Sequence, residues 1–150
     1  MKTDLLKDLK ILIVEDESKL AKLLKDALKE YFYNVNIAVN GEEGITKFKS
    51  LKPDIIITDI MMPVMDGLEM AIQVKEINEK TPIIVLSAFS EKEKLLKAID
   101  IGITKYFIKP FDPDELINYL NELALKLQKN RIIRLIDGFS FDNSSMNLYK

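Results

Sequence analysis

The stretch Asp54-Ile-Ile-Ile-Thr58, followed by Asp59 and the loop Ile60-Met-Met-Pro-Val-Met-Asp-Gly67, decides how this chain of 150 residues folds. The run is short, unbroken and β-branched almost throughout, which reads as a strand covered on both faces. Lys10-Ile-Leu-Ile-Val14 and Ile83-Ile-Val-Leu86 repeat the pattern, Val35 to Val39 and Tyr106-Phe-Ile108 supply two more strands, and helical stripes lie between them. Leu20, Leu23, Leu24, Ala27, Leu28 and Tyr31 form the first stripe. Asn40-Gly41 is a turn signal, after which Ile45, Phe48 and Leu51 mark a second helix. Asp66-Gly67 opens a third through Leu68, Ala71 and Ile72. Ser90-Glu-Lys-Glu93 is a capping box for a fourth, with Leu95, Leu96 and Ile99, that Gly102 ends. Asp112-Pro-Asp-Glu115 starts a fifth, carrying Leu116, Leu120, Leu123 and Leu127. Five strands alternating with five helices predict right-handed βαβ units and a doubly wound α/β parallel sheet.

Composition narrows the chemistry. Hydrophobic residues make up 47% and charged residues 31%, which argues against a disordered chain. No apolar run approaches the ~20 residues of a membrane span. Met1-Lys2-Thr3-Asp4 shows no secretory signal, so a cytoplasmic protein is expected. Cys, His and Trp are absent. That excludes disulfide frameworks, zinc fingers, thiol nucleophiles and Ser-His-Asp triads. Asp, Glu, Lys, Ser, Thr, Tyr and the backbone remain, and a bound metal would be a hard, oxygen-loving one.

In a doubly wound sheet, ligands bind beyond the carboxyl ends of the strands. Strand one ends in Glu15-Asp16, strand three in Asp59, strand four in Ser87 and strand five in Lys109-Pro110. Singly, each has an ordinary explanation as a helix cap or a solvated strand end. Together they bring three carboxylates, a cation and a hydroxyl to one cleft. Clustered carboxylates repel unless one takes up a proton or a cation joins them. Mg²⁺ suits such a site, and the set suits phosphoryl transfer to Asp, which needs positioning and charge neutralisation above all.

Ile13-Val-Glu-Asp-Glu17, Asp59-Ile-Met-Met-Pro-Val-Met-Asp-Gly67, Ser87-Ala88 and Tyr106-Phe-Ile-Lys-Pro-Phe111 resemble the motifs of the receiver domains of two-component response regulators, the CheY-like domains. The resemblance covers about residues 8–128. It implies a flavodoxin-like (βα)5 fold with strand order 2-1-3-4-5. It implies Asp59 as phosphoacceptor from a histidine kinase, and Mg²⁺ held by Asp16, Asp59 and the backbone carbonyl of Met61, with Glu15 acting mainly through a metal-bound water. Lys109 would pair with the acyl phosphate. Ser87 would turn inward to a phosphoryl oxygen and Tyr106 would follow it, switching an output face made of the fourth helix, fifth strand and fifth helix. Its chemistry would be self-directed only. Met61 and Phe89 occupy the positions that flank the attacking water, and both are apolar and bulky, so a persistent phosphoaspartate is expected.

Residues 129–150 differ from the rest. Residues 1–128 hold 18 Lys against 22 acids, whereas the last 22 hold two Lys and two Arg, Arg131 and Arg134, against two Asp. Arg131-Ile-Ile-Arg-Leu-Ile136, Phe139-Ser-Phe141 and Met146-Asn-Leu-Tyr149 read as short strands joined by turns. They resemble, weakly, the strands that open the winged-helix domain of OmpR/PhoB-like transcription factors. A C-terminal extension is therefore expected, with DNA as a partner only where such an output domain exists. A homodimer through the output face would lack the charge pairs usual in those regulators: Thr104, Lys105 and Tyr119 stand in their places, leaving contacts such as Tyr119 and Leu95. Two other functions stay open: a stand-alone receiver acting by protein–protein contact, and a phosphatase with its aspartyl nucleophile on strand one. The strand-to-helix loops lack a Gly-rich phosphate cradle, which excludes common nucleotide sites.

Overall fold

Period-two burial along the strands sorts the apolar residues into two layers. In the computed structural model, which describes residues 7–88 and 92–146 (backbone alone from 139), the chain runs β1 (Lys10–Val14), α1 (Ser18–Leu28), β2 (Asn34–Ala38), α2 (Gly41–Leu51), β3 (Ile55–Asp59), α3 (Gly67–Ile77), β4 (Ile83–Ala88), α4 (Lys92–Ile101), β5 (Lys105–Lys109) and α5 (Pro113–Met146). All pairings are parallel and the sheet order is β2-β1-β3-β4-β5. The expected flavodoxin-like arrangement is what the chain forms. Ile11, Ile13, Ile55, Ile57, Ile84 and Leu86 point to one side, under α1 and α5. Leu12, Val14, Ile56, Ile83 and Val85 point to the other, under α2, α3 and α4. Every residue of β3 is buried, as a central strand covered on both faces requires.

The register sets the functional end. Val14 lies beside Thr58, Asp59 beside Leu86, and Ala88 beside Lys109. The residues that end β1, β3, β4 and β5 therefore come out at one edge.

Local chemistry fixes the helix starts. Asn40 is an N-cap rather than only a turn residue: its side chain accepts from the Glu43 N–H at 2.8 Å. Asp66 and Glu69 form a reciprocal capping box on α3. Asp112 accepts from the Asp114 N–H at 2.9 Å, one residue before Pro113 opens α5. Gly102, at φ 101°, ends α4 as expected. The capping box beginning at Ser90 lies outside the described residues.

The extension departs from expectation. Residues 129–146 continue α5 as helix instead of forming strands, giving one element of 34 residues, roughly 50 Å long. A strand needs a neighbour for its N–H and C=O groups, whereas a helix satisfies them within itself. The same residues also carry a helical pattern. At 100° per residue, Ile132, Ile133, Leu135 and Ile136 share one side, and Asn130, Arg131, Arg134 and Asp137 the other. With no second strand beside it among the described residues, that pattern prevails. Residues 147–150 of the last expected strand lie outside the described residues.

Candidate functional site

Asp59 is the centre of the site because β3 holds it from behind. Its carbonyl accepts from the Thr58 hydroxyl at 2.8 Å, and one carboxylate oxygen accepts from the Ile60 N–H at 2.8 Å. Gly67 packs directly against its backbone, where a Cβ would come within 2.0 Å of the Asp59 carbonyl oxygen. The other carboxylate oxygen accepts from Lys109 Nζ at 2.9 Å. Asp59 is 7% exposed, enough to open on a cleft of about 750 Å³ lined by Asp59, Met61, Ala88, Lys92, Lys94 and Lys109 among others.

Glu15, Asp16 and Asp59 offer oxygens all within 4.8 Å of one another. Glu15 is fully buried. One of its oxygens accepts from the Glu17 N–H at 3.1 Å, and the other has no hydrogen-bond partner, lying 3.6 Å from Lys109 Nζ. Burial, then the charge of Asp59, push its carboxyl up to about 7, against smaller opposing effects of the Glu17 amide and Lys109. Burial lowers the Lys109 pKa, but its bond to Asp59 and the charges of Asp59, Glu15 and Glu17 outweigh that and raise it overall. The three-acid cluster thus holds more negative charge than Lys109, the lysine paired with it, neutralises.

These residues fit a hard divalent cation. The donors are all oxygens, and one buried oxygen of Glu15 has no hydrogen bond. Two oxygens bound directly to Mg²⁺ sit at most about 4.2 Å apart, so a cluster spanning 4.8 Å leaves room for one acid to act through water.

Ser87 and Tyr106 stand apart from this cluster. Ser87 is buried and its hydroxyl donates to the Ala88 carbonyl at 3.1 Å. Tyr106, beside Val85 in the register of β4 and β5, is 41% exposed. Phe89 lies outside the described residues. The sequence pattern did not single out Lys92, Lys94 or the backing role of Gly67. Asp66-Gly67 is visible as a helix start, but its approach to Asp59 is a tertiary fact, and nothing in the spacing points to the lysines.

The expected dimer contacts need one correction. Leu95 is buried in the core beside Ala98, because α4 turns that side to the sheet. Leu96, Ile99, Tyr106 and Ile108 are the exposed apolar residues of α4 and β5. Tyr119 packs edge-on to Phe107, with Lys105 Nζ 5.5 Å from its ring centre.

The sequence profile of the response regulator receiver domain matches residues 11–121. The chain belongs to that family. As a receiver domain it is a module of two-component signalling. It is 34% identical over 138 residues to the response regulator ArlR of Staphylococcus aureus, covering 92% of this chain and 62% of that protein. The chain thus spans less than two thirds of the length of the curated relatives it matches. With 138 of 150 residues aligned, the likeness also runs past residue 128 into the extension. Among solved structures, the receiver resembles the N-terminal domain of an uncharacterized protein from Wolinella succinogenes (42% identity, TM-score 0.75, 81% of this chain and 98% of that one). It also resembles the Francisella response regulator 1452 receiver domain (30% identity, TM-score 0.73, 80% and 99%). The Vibrio cholerae chemotaxis protein CheY4 is similar at 30% identity and a TM-score of 0.69, over 76% of this chain and 97% of that one. No helix among the described residues is long and apolar enough to cross a membrane.

Proposed function

We propose that this receiver accepts a phosphoryl group on Asp59 from a histidine kinase and relays that event to an output through α4, β5 and α5. The carrying observation is the Asp59 carboxylate, aimed by Ile60 and Lys109 into an open cleft beside two further acids. An Asp59 oxygen forms the new bond to phosphorus as the P–N bond of a phosphorylated imidazole breaks, and the leaving nitrogen keeps the electron pair and takes a proton. Glu15, Asp16, Asp59 and the Met61 carbonyl would hold Mg²⁺, which when bound supplies neutralising charge for the phosphoryl oxygens. Lys109 leaves its bond with the free carboxylate for the acyl phosphate. Ser87 exchanges its bond to Ala88 for a phosphoryl oxygen, and Tyr106 moves inward behind it. These two side chains are the bistable element that phosphate biases.

The rival phosphatase would use Asp16 as nucleophile, yet Lys109 contacts Asp59 and Glu15 instead. For the output we favour transcription. The aligned relatives continue well beyond this length and the likeness enters the extension, in keeping with a winged-helix domain downstream; a receiver working alone by protein contact is the alternative.

Intact-mass measurement after incubation with Mg²⁺ and a small phosphodonor tests the core of this reading. One added phosphoryl group is expected on wild type, and none on Asp59→Asn. Retention of the label by Asp59→Asn, or labelling of wild type at an unchanged rate without Mg²⁺, would refute it.

A further inference from the structure

We propose that Lys94 is a positioning residue for the reaction at Asp59, latching the Met61 side chain across the mouth of the cleft. This rests on the reading of Asp59 given above. Lys94 lies in the first turn of α4. Its Nζ is 2.9 Å from Met61 Sδ and 4.0 Å from Asp66 Oδ2. Lys94, Met61 and Asp59 line the same cleft.

The two ends of the latch differ in stiffness. Asp66 is a fixed anchor: it caps α3, accepts from the Glu69 N–H at 2.9 Å, and returns its own N–H to the Glu69 carboxylate. Met61 is the opposite. A thioether side chain turns about three bonds with little preference, and this one is half exposed in the loop after β3. It keeps one place at the mouth when something holds it there, and Lys94 is strung between it and the fixed carboxylate. Held there, Met61 narrows the side of the cleft it shares with Asp59, and with it the approach of water to a phosphoryl group on Asp59.

The latch adds little to the stability of the fold. The Lys94 side chain is 41% exposed, and exposed ion pairs contribute weakly. Its effect is on access. It also ties access to the switch, because α4 follows Ser87 in the chain: a shift of α4 carries Lys94 away from Met61 and opens the path to the phosphoaspartate.

Two measurements test it. In protein labelled at the methionine methyls, the Met61 signal should move and narrow in Lys94→Ala, remain near its wild-type position in Lys94→Arg, and leave buried Met70 unchanged. An unmoved Met61 signal overturns the latch whether or not Asp59 is phosphorylated. In labelled phosphoprotein, Lys94→Ala should lose its phosphoryl group about fivefold faster and Lys94→Arg within about twofold of wild type, the scale of one side-chain coupling. In a Met61→Ala background, Lys94→Ala should add nothing. An effect of full size in that background would mean that the ammonium acts on the phosphoryl group itself, and would overturn the proposal. Equal lifetimes in wild type and Lys94→Ala count against the latch alone, whereas a wild type that takes up no phosphoryl group counts against the reading of Asp59 and removes the latch with it.

Discussion

Strand β3 has an aspartate just before its first residue and another as its last, and the two ends of the sheet treat them differently. Asp54, at the amino end, accepts from the Lys10 N–H at 2.8 Å with one oxygen and from the Arg131 guanidinium with the other. A single acid meets a backbone donor and a cation, and every oxygen has a partner. Asp59, at the carboxyl end, shares one lysine with Glu15 in a cluster of three acids, and the Glu15 oxygen nearest that lysine is buried without a hydrogen bond. The same residue type five positions away stabilises the fold at one end and is poised for chemistry at the other. What separates the roles is how fully the neighbours satisfy the charge, since unsatisfied buried polar groups cost stability and mark function.

The sharpest break of this contrast is at the backing of Asp59. Gly67→Ala forces a Cβ to within 2.0 Å of the Asp59 carbonyl oxygen, against backbone that cannot swing aside. A loss of about 3 kcal/mol is expected, measured by urea unfolding, together with weakened phosphoryl uptake. The amino end offers no comparable position.

Next comes the exchange of the two aspartates. Asp54→Ala should cost about 2 kcal/mol, because it strands the Lys10 amide and removes a charged acceptor, while phosphoryl uptake on Asp59 survives. Asp59→Asn should leave the melting temperature unchanged or higher at neutral pH, since it relieves repulsion with Glu15, while uptake disappears. Thermal denaturation of both variants decides the matter. A destabilised Asp59→Asn beside an unaffected Asp54→Ala would reverse the assignment.

Much of this was legible in the sequence for a physical reason. Buried parallel strands announce themselves as apolar runs, and the doubly wound topology then brings the residues after Val14, Thr58, Leu86 and Ile108 together in one place. Asp54 was legible only as the start of a strand. Its partner Arg131 is 77 residues away, on a helix whose residues were read as strands. Short apolar segments with mixed periodicity do not declare their structure, because the presence or absence of a pairing partner decides it. Gly67 and Lys94 were hidden for a related reason: close approach and side-chain reach are consequences of packing.

The pH dependence is a smaller effect with a definite sign. The folded-state pKa of Glu15, about 7, lies above its ordinary 4.5. Between those values the folded protein binds more protons than the unfolded one, so stability falls as pH rises through that window. The rise in the Lys109 pKa acts only above 10.5 and does not oppose it there. Glu15→Gln should flatten the slope of stability between about pH 4.5 and 7. Urea midpoints across the range give the slope, and an equally steep decline in the variant would place its source elsewhere. Asp54→Ala should leave this slope as in wild type.

The smallest effect probes the amino end from the far side. In α5, Leu116, Leu120 and Ala124 are buried against the sheet, whereas Ile132, Ile133, Leu135 and Ile136, further along the same helix, are exposed. Among the described residues of α5, Arg131 is the last whose side chain makes an ion pair to the body of the domain, through Asp54; its other bond, to Gln128, stays within the helix. Its side chain is 44% exposed, so Arg131→Ala should cost less than about 1 kcal/mol, well below the loss of Asp54 itself. The Lys10 amide still occupies Asp54 when the guanidinium is gone, which is why the two losses differ. Hydrogen exchange supplies the finer reading. Amides of 129–138 should exchange faster in Arg131→Ala while those of 116–124 stay protected, because burial holds the first half of the helix and a single ion pair fastens the second. Uniform loosening of both halves would mean that the extension and the body unfold as one unit.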